Sequence, residues 1–374
     1  MSQPYPKATR AADRARVAAI DTEVSELEER IRVLQLEREP CKRRLDAYIY
    51  PVLTLPNEIT SEIFIHFLPP YPACPRLRGL ESPTSLTHIC RQWREIALAT
   101  PKLWRAFSTF CTGKEAAQAR VVQTWLDRSR SCQLSIRMVM GDLDALVAIL
   151  LHRQRWQNVE LVIASSEAAL IKGPFPLLES LSLSVDDFHY THPTTSFGDF
   201  PRLQAVTVDD ARHGNWLPAS QFTSLTFEDV ASENYLPLLH GAANLVRLNL
   251  IHCDAGEPPQ NGVNLARLET LVIVDDPPEG GTSSRLLDMF TVPALHSLCI
   301  SGELLGSDPI SSLNLLISRS GCKLQQVLVT GESPNVPEKF FRAAFPSIPK
   351  IAFDSEYDWS TRREFRDELN ITSA

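Results

Sequence analysis

Residues 245–250 read Leu-Val-Arg-Leu-Asn-Leu, apolar at the first, fourth and sixth places. Leu248 and Leu250 lie two apart, so on a strand they share one face, while Leu245 packs from the preceding turn. The same spacing occurs upstream at Trp156-Val159-Leu161, Leu178-Leu181-Leu183, Leu203-Val206-Val208 and Phe222-Leu225-Phe227. Downstream it recurs at Leu268-Leu271-Ile273, Leu295-Leu298-Ile300, Leu324-Val327-Val329 and Ile348-Ile351-Phe353. The nine copies stand 22, 25, 19, 23, 23, 27, 29 and 24 residues apart, a regularity that a leucine-rich chain does not reach by chance. A period of this size predicts one strand and one return per copy. Stacked copies would share a parallel sheet and a continuous apolar inner layer, giving an irregular solenoid over residues 156–374.

This spacing resembles leucine-rich repeats. It departs from them at the Asn/Cys place after the strand, which only Cys253 meets; elsewhere Ser, Asp, Glu, Ala or Val stands there. Without that ladder the turns lose backbone hydrogen bonds, and the Pro- and Gly-rich stretches 256–262, 275–284 and 331–337 are expected to form uneven returns. Residues flanking the inward pair should point outward onto a concave face: Asp209, Glu228, Arg247, Asn249, Thr270, Gln326, Thr330, Lys350 and Asp354. Of these, Asp209, Glu228, Arg247, Asn249, Lys350 and Asp354 are the candidates for holding a target protein.

Upstream, residues 51–110 carry helical signals in a fixed order. Pro56 suits a first helical turn, where its missing N–H costs nothing. Ile59, Ile63 and Phe67 then repeat every four residues, and Pro69-Pro70 ends the helix. Residues 70–82 read as a loop. Ser82-Pro83 is a start signal for a second helix, with Leu86, Ile89, Cys90, Trp93, Ile96 and Ala97 on its face. Thr100-Pro101 opens a short third helix bearing Leu103 and Trp104.

Leu-Pro-x-Glu-Ile-x-x-x-Ile-Phe at 55–64, Cys-Arg-x-Trp-Arg-x-Ile-Ala at 90–97 and Thr-Pro-x-Leu-Trp at 100–104 together resemble an F-box, most closely the F-box-like proteins abundant in mushroom-forming fungi. Those often carry a short N-terminal coil. The resemblance implies docking to the Skp adaptor of a cullin-RING (SCF) ubiquitin ligase. On that basis Leu55 and Pro56 start the adaptor contact, and Glu58, Ile59, Ile63 and Phe64 continue it. Cys90, Trp93, Leu103 and Trp104 support the fold or its rim. Local core is the alternative role for each apolar member, and for Ile63, Ile89 and Trp93 it weighs at least as much. The 70–82 insertion departs from the pattern and should be tolerated as a loop, though one able to reshape adaptor contact.

Residues 1–50 are expected to form a coil-like helix. Val17, Val24 and Ile31 alternate with Ile20, Leu27 and Leu34 at heptad spacing, and Pro40 is expected to kink or stop the helix. The segment 10–39 either associates with itself or a partner helix, or lies against the next domain. Residues 111–155 read as a helical connector: a helix over 115–127 with Val121, Val122, Trp125 and Leu126 on one face, a strand-like 133–139, and a helix over 142–156 capped by Asp142.

The charge is unevenly spread. Residues 1–130 hold 20 Lys/Arg against 15 Asp/Glu, and residues 131–374 hold 17 against 30, so the C-terminal part carries −13 of a net −8. That balance argues against a nucleic-acid backbone as its ligand. Eight cysteines stand singly with no C-x-x-C pair, which fits free thiols in a reducing compartment. No signal peptide or membrane span is visible, so an intracellular protein of cytoplasm or nucleus is expected. No phosphate-loop, dinucleotide or serine-hydrolase motif is present. His189 and His192 lack further ligands at useful spacing, His252-Cys253-Asp254 reads as a turn, and Asp275-Asp276 as a solvated loop. The expectation is an α/β chain without catalytic residues, metal or cofactor: coil, F-box and repeat, with a target protein on the repeat. A non-ligase interaction scaffold and a hydrolase or transferase hidden in the repeat are its rivals.

Overall fold

The computed structural model describes residues 7–47, 51–110, 115–139, 143–168, 170–185, 199–209, 219–253, 262–274, 286–331 and 337–354. Two units divide the chain, Met1–Thr60 and Ser61–Ala374. His189 and His192, the loop at Asp275-Asp276 and the expected Asp142 cap lie outside the described residues.

In the first unit, α1 (Lys7–Asp46) is one helix of 40 residues, about 60 Å long at 1.5 Å per residue. The expected stop at Pro40 is not found. Proline at this place forfeits one bond, to the Leu36 carbonyl, and the helix resumes beyond it, with Ala47 N–H reaching the Arg43 carbonyl at 3.0 Å. Arg43 and Arg44 in the last turn suit the negative end of the helix dipole. A 3-10 turn at Pro51–Thr54 is closed by the Thr54 hydroxyl donating to the Pro51 carbonyl at 2.7 Å. The Pro56 carbonyl then accepts from the Thr60 N–H at 3.0 Å and the Thr60 hydroxyl at 3.1 Å, opening α2 (Asn57–Phe67).

The second unit continues α2, then runs α3 (Pro83–Leu86), α4 (Arg91–Ala99), β1 (Ala106–Phe110), α5 (Glu115–Arg128), β2 (Leu134–Val139), α6 (Leu143–Leu150), β3 (Trp156–Ile163), α7 (Ser165–Ala168), β4 (Ser180–Val185), β5 (Ala205–Asp209) and β6 (Ser224–Glu228). It goes on through α8 (Ser232–Gly241), β7 (Arg247–Ile251), β8 (Val263–Asn264), β9 (Thr270–Val274), β10 (Phe290–Thr291), β11 (Ser297–Ser301), α9 (Pro309–Ser320), β12 (Gln326–Thr330), α10 (Glu338–Ala344) and β13 (Lys350–Asp354).

Eleven of these strands form one sheet in the order β1-β2-β3-β4-β5-β6-β7-β9-β11-β12-β13, every pair parallel, while β8 and β10 pair separately. The expected solenoid is corrected by this arrangement: among the described residues the second unit is a mixed α/β fold built on a large parallel sheet of eleven strands. The sheet starts at Ala106 rather than at Trp156. Its returns are not copies of one another, since α5, α6, α7, α8, α9 and α10 differ in length from 4 to 14 residues and other returns use 3-10 turns or the β8–β10 pair. The sequence spacing did locate strands: each of the nine copies lands on one, and Leu248, Leu271, Leu298 and Val327 align as neighbours across β7, β9, β11 and β12.

Those inward residues build the main core, with Leu248 and Leu271 wholly buried. Each such side chain contributes about 1.5–3 kcal/mol of burial. Toward β3 the core is aromatic, Trp156 to Phe175 at 5.4 Å and Phe175 to Phe200 at 5.2 Å between ring centroids. Helix α9 shows how local signals place a return. Asp308 accepts from the Ser311 N–H at 3.2 Å, Pro309 follows at the first position, and Gly321 closes the helix at φ 66°, which a Cβ would strain.

Candidate docking surface

Residues 51–110 divide into buried anchors and an exposed apolar remainder. In the second unit, Phe64 is buried and its ring meets Trp93 at 4.9 Å between centroids. Phe64 therefore belongs to the core rather than to a contact face. The corrected assignment follows from helix geometry, because Ile63 and Phe64 are about 100° apart around α2 and point different ways. Ile63 is 49% exposed, Phe67 46% and Ile89 60%. Of the positions in the first unit, Leu55 is half-buried, and Pro56, Glu58 and Ile59 are exposed.

The expected second helix is broken in two. Ser82 caps α3: its hydroxyl accepts from the Thr84 N–H at 3.2 Å and donates to the Leu77 carbonyl at 3.1 Å. The chain leaves the helix at Thr87, whose carbonyl accepts from the Arg94 Nε at 2.7 Å instead of continuing the ladder. Cys90 then caps α4, its Sγ accepting from the Trp93 N–H at 3.4 Å. Ile89 falls in the turn between, which is why it stands clear of the core. Leu103 and Trp104 are buried: the Trp104 indole N–H donates to the Ala97 carbonyl at 2.9 Å, and its ring meets Trp125 edge-on at 5.1 Å. They join the helices to the sheet.

The 70–82 insertion lies along the sheet edge. Ser108 N–H on β1 donates to the Pro75 carbonyl at 2.7 Å, and Leu77 N–H donates back to Ser108 at 3.4 Å. Tyr71 donates to Gln157 at 2.7 Å and lies under the Arg105 guanidinium. Cys74 sits 3.2 Å from the Ser135 hydroxyl, and burial pushes its thiol up to about 11.

On the sheet face opposite the main core, side chains form rows across the strands. One row runs Ser182, Thr207, Thr226, Asn249, then Val272, Cys299, Leu328 and Ala352. Its first half is polar. Its second half is a second buried apolar cluster of Val272, Val274, Cys299 and Leu328, and burial holds the Cys299 thiol up to about 12. The six target-binding candidates fall in different rows and are not gathered into one site. Asp209 and Glu228 are neighbours, and Asp354 lies in their row but five strands beyond Glu228, roughly 24 Å at strand spacing. Arg247 and Lys350 share another row. Asn249 is buried and donates to the Thr226 hydroxyl at 2.9 Å. The continuous apolar run 271–274 was the available signal for a strand covered on both faces.

Among the described residues no three His, Cys, Asp or Glu side chains are grouped to hold a metal, and the seven described cysteines are free. Cys253 donates to the Phe227 and Ile251 carbonyls, both at 3.4 Å, the part expected of a turn residue. A cleft of about 300 Å³ beside β1 is lined by Arg76, Arg78, Phe110 and Gln118, with no carboxylate or histidine among its described lining. No described helix is long and apolar enough to cross a membrane. The chain matches no protein-family model and no curated protein.

Proposed function

We propose that this chain is a non-catalytic substrate-recognition subunit of an SCF-type ubiquitin ligase. It docks the Skp adaptor through the F-box-like helices and presents a target protein on its sheet. The observation that carries this reading is the exposure of Ile63, Phe67 and Ile89 beside the Phe64–Trp93 anchor, in a segment whose motifs resemble an F-box. Large apolar side chains left in water next to a packed aromatic pair are what a partner's apolar groove would cover. On the sheet, the polar part of the outward face around Thr207, Asp209 and Glu228 is the target-contact surface. Ubiquitin transfer belongs to the partner complex, to which this chain contributes effective concentration. It works in the cytoplasm, the nucleus or both, where that ligase acts.

The test is co-purification of the full chain with a Skp adaptor. Wild type should capture it, and Leu55→Ala/Pro56→Ala and Ile63→Asp should lose it with unchanged circular dichroism. A folded wild type that ignores the adaptor would sink the ligase reading and leave a scaffold that binds partners directly.

A further inference from the structure

The longest uncovered apolar line in the described residues runs along α1. Val17, Ile20, Val24, Leu27, Ile31 and Leu34 follow one stripe at alternating three- and four-residue steps, and each is 43–56% exposed. Val33 and Leu36 are exposed as well but lie off the stripe, while exposed Leu45 falls back on its register beyond the interruption at Arg38 and Cys41. Three heptads of this kind form a seam that fits a second helix.

Charge selects which helix, and in which direction. We propose that two copies of this chain associate through α1 as an antiparallel two-stranded coiled coil, with its dyad between Ser25 and Glu26. In this register Val17 packs opposite Leu34 of the second copy, Ile20 opposite Ile31, and Val24 opposite Leu27. The next layer outward sets Asp13 against Arg38. The flanks set Arg16 against Glu37 and Glu23 against Arg30, and symmetry repeats each pair. Asp21 opposite Glu28 is the like-charge exception within the three heptads. A parallel pair would instead oppose Asp13 to Asp13, Arg38 to Arg38 and Glu23 to Glu28, keeping only Arg16–Asp21 and Glu37–Lys42 as attractions. The dyad also lies within one residue of the middle of α1 (Lys7–Asp46), so the antiparallel pair overlaps along nearly the whole helix.

Sedimentation equilibrium of the full chain over a concentration series tests this. Wild type should be dimeric, and Val24→Asp/Leu27→Asp should be monomeric; both side chains are exposed, so the fold is kept. Glu23→Arg should weaken the dimer about tenfold, by turning two attractive pairs repulsive, and Glu23→Arg/Arg30→Glu should restore it. A monomeric wild type, or a dimer indifferent to the Val24/Leu27 change, overturns the proposal. So does Glu23→Arg leaving the dimer unchanged or tightening it, since tightening is the response of a parallel pair relieved of Glu23–Glu28.

Discussion

Ile63 and Phe64 are chain neighbours with opposite duties. Phe64 is 1% exposed against the Trp93 ring, and Ile63 is half in water. Truncating Phe64 to alanine opens a cavity and should cost about 3–5 kcal/mol in urea unfolding. Truncating Ile63 should move stability by no more than about 0.5 kcal/mol. Equal losses at both positions would mean that Ile63 is packed within the chain and is no docking residue. The sequence offers little to separate the two, because Leu-Pro-x-Glu-Ile followed by Ile-Phe is apolar at both places and only the helix phase assigns the faces.

At the level of elements, α1 passes through Pro40 at the expense of one backbone bond. Pro40→Ala should stabilise the helix by up to about 3 kcal/mol, read as higher ellipticity at 222 nm and a later loss of helical signal on heating. No change in either would indicate that residues 41–46 are held by something other than continuation of the helix. The sheet shows how far sequence spacing reaches. Nine strands are marked by their three apolar places, but β1 and β2 are not. Trp104 and Phe107 begin the spacing in β1, and Thr109 occupies its last place. In β2, Ile136 and Met138 align with Val159 and Leu161 of β3, but Gln133 stands where the leading apolar residue belongs. A polar residue at one place in each therefore kept β1 and β2 out of the series, although the alternation of 133–139 already marks a strand. The break between α3 and α4 was hidden, because it depends on Arg94 reaching back seven residues to the Thr87 carbonyl.

Across the whole molecule, the face of the sheet opposite the main core changes character between β7 and β9, from Thr207, Thr226 and Asn249 to Val272, Cys299 and Leu328. A carboxylate tests the two halves. Val272→Asp would bury an unpaired charge and should cost about 3 kcal/mol or more. Thr207→Asp, half-exposed in the polar half, should stay within about 1 kcal/mol. Comparable urea midpoints for the two variants would refute the division. Strand order in the large sheet follows chain order, with β8 and β10 set aside. A length of gene encoding one strand and its return can thus be duplicated or lost while the remaining strands keep their neighbours. Mutation can adjust the breadth of this face in whole steps of about 4.8 Å.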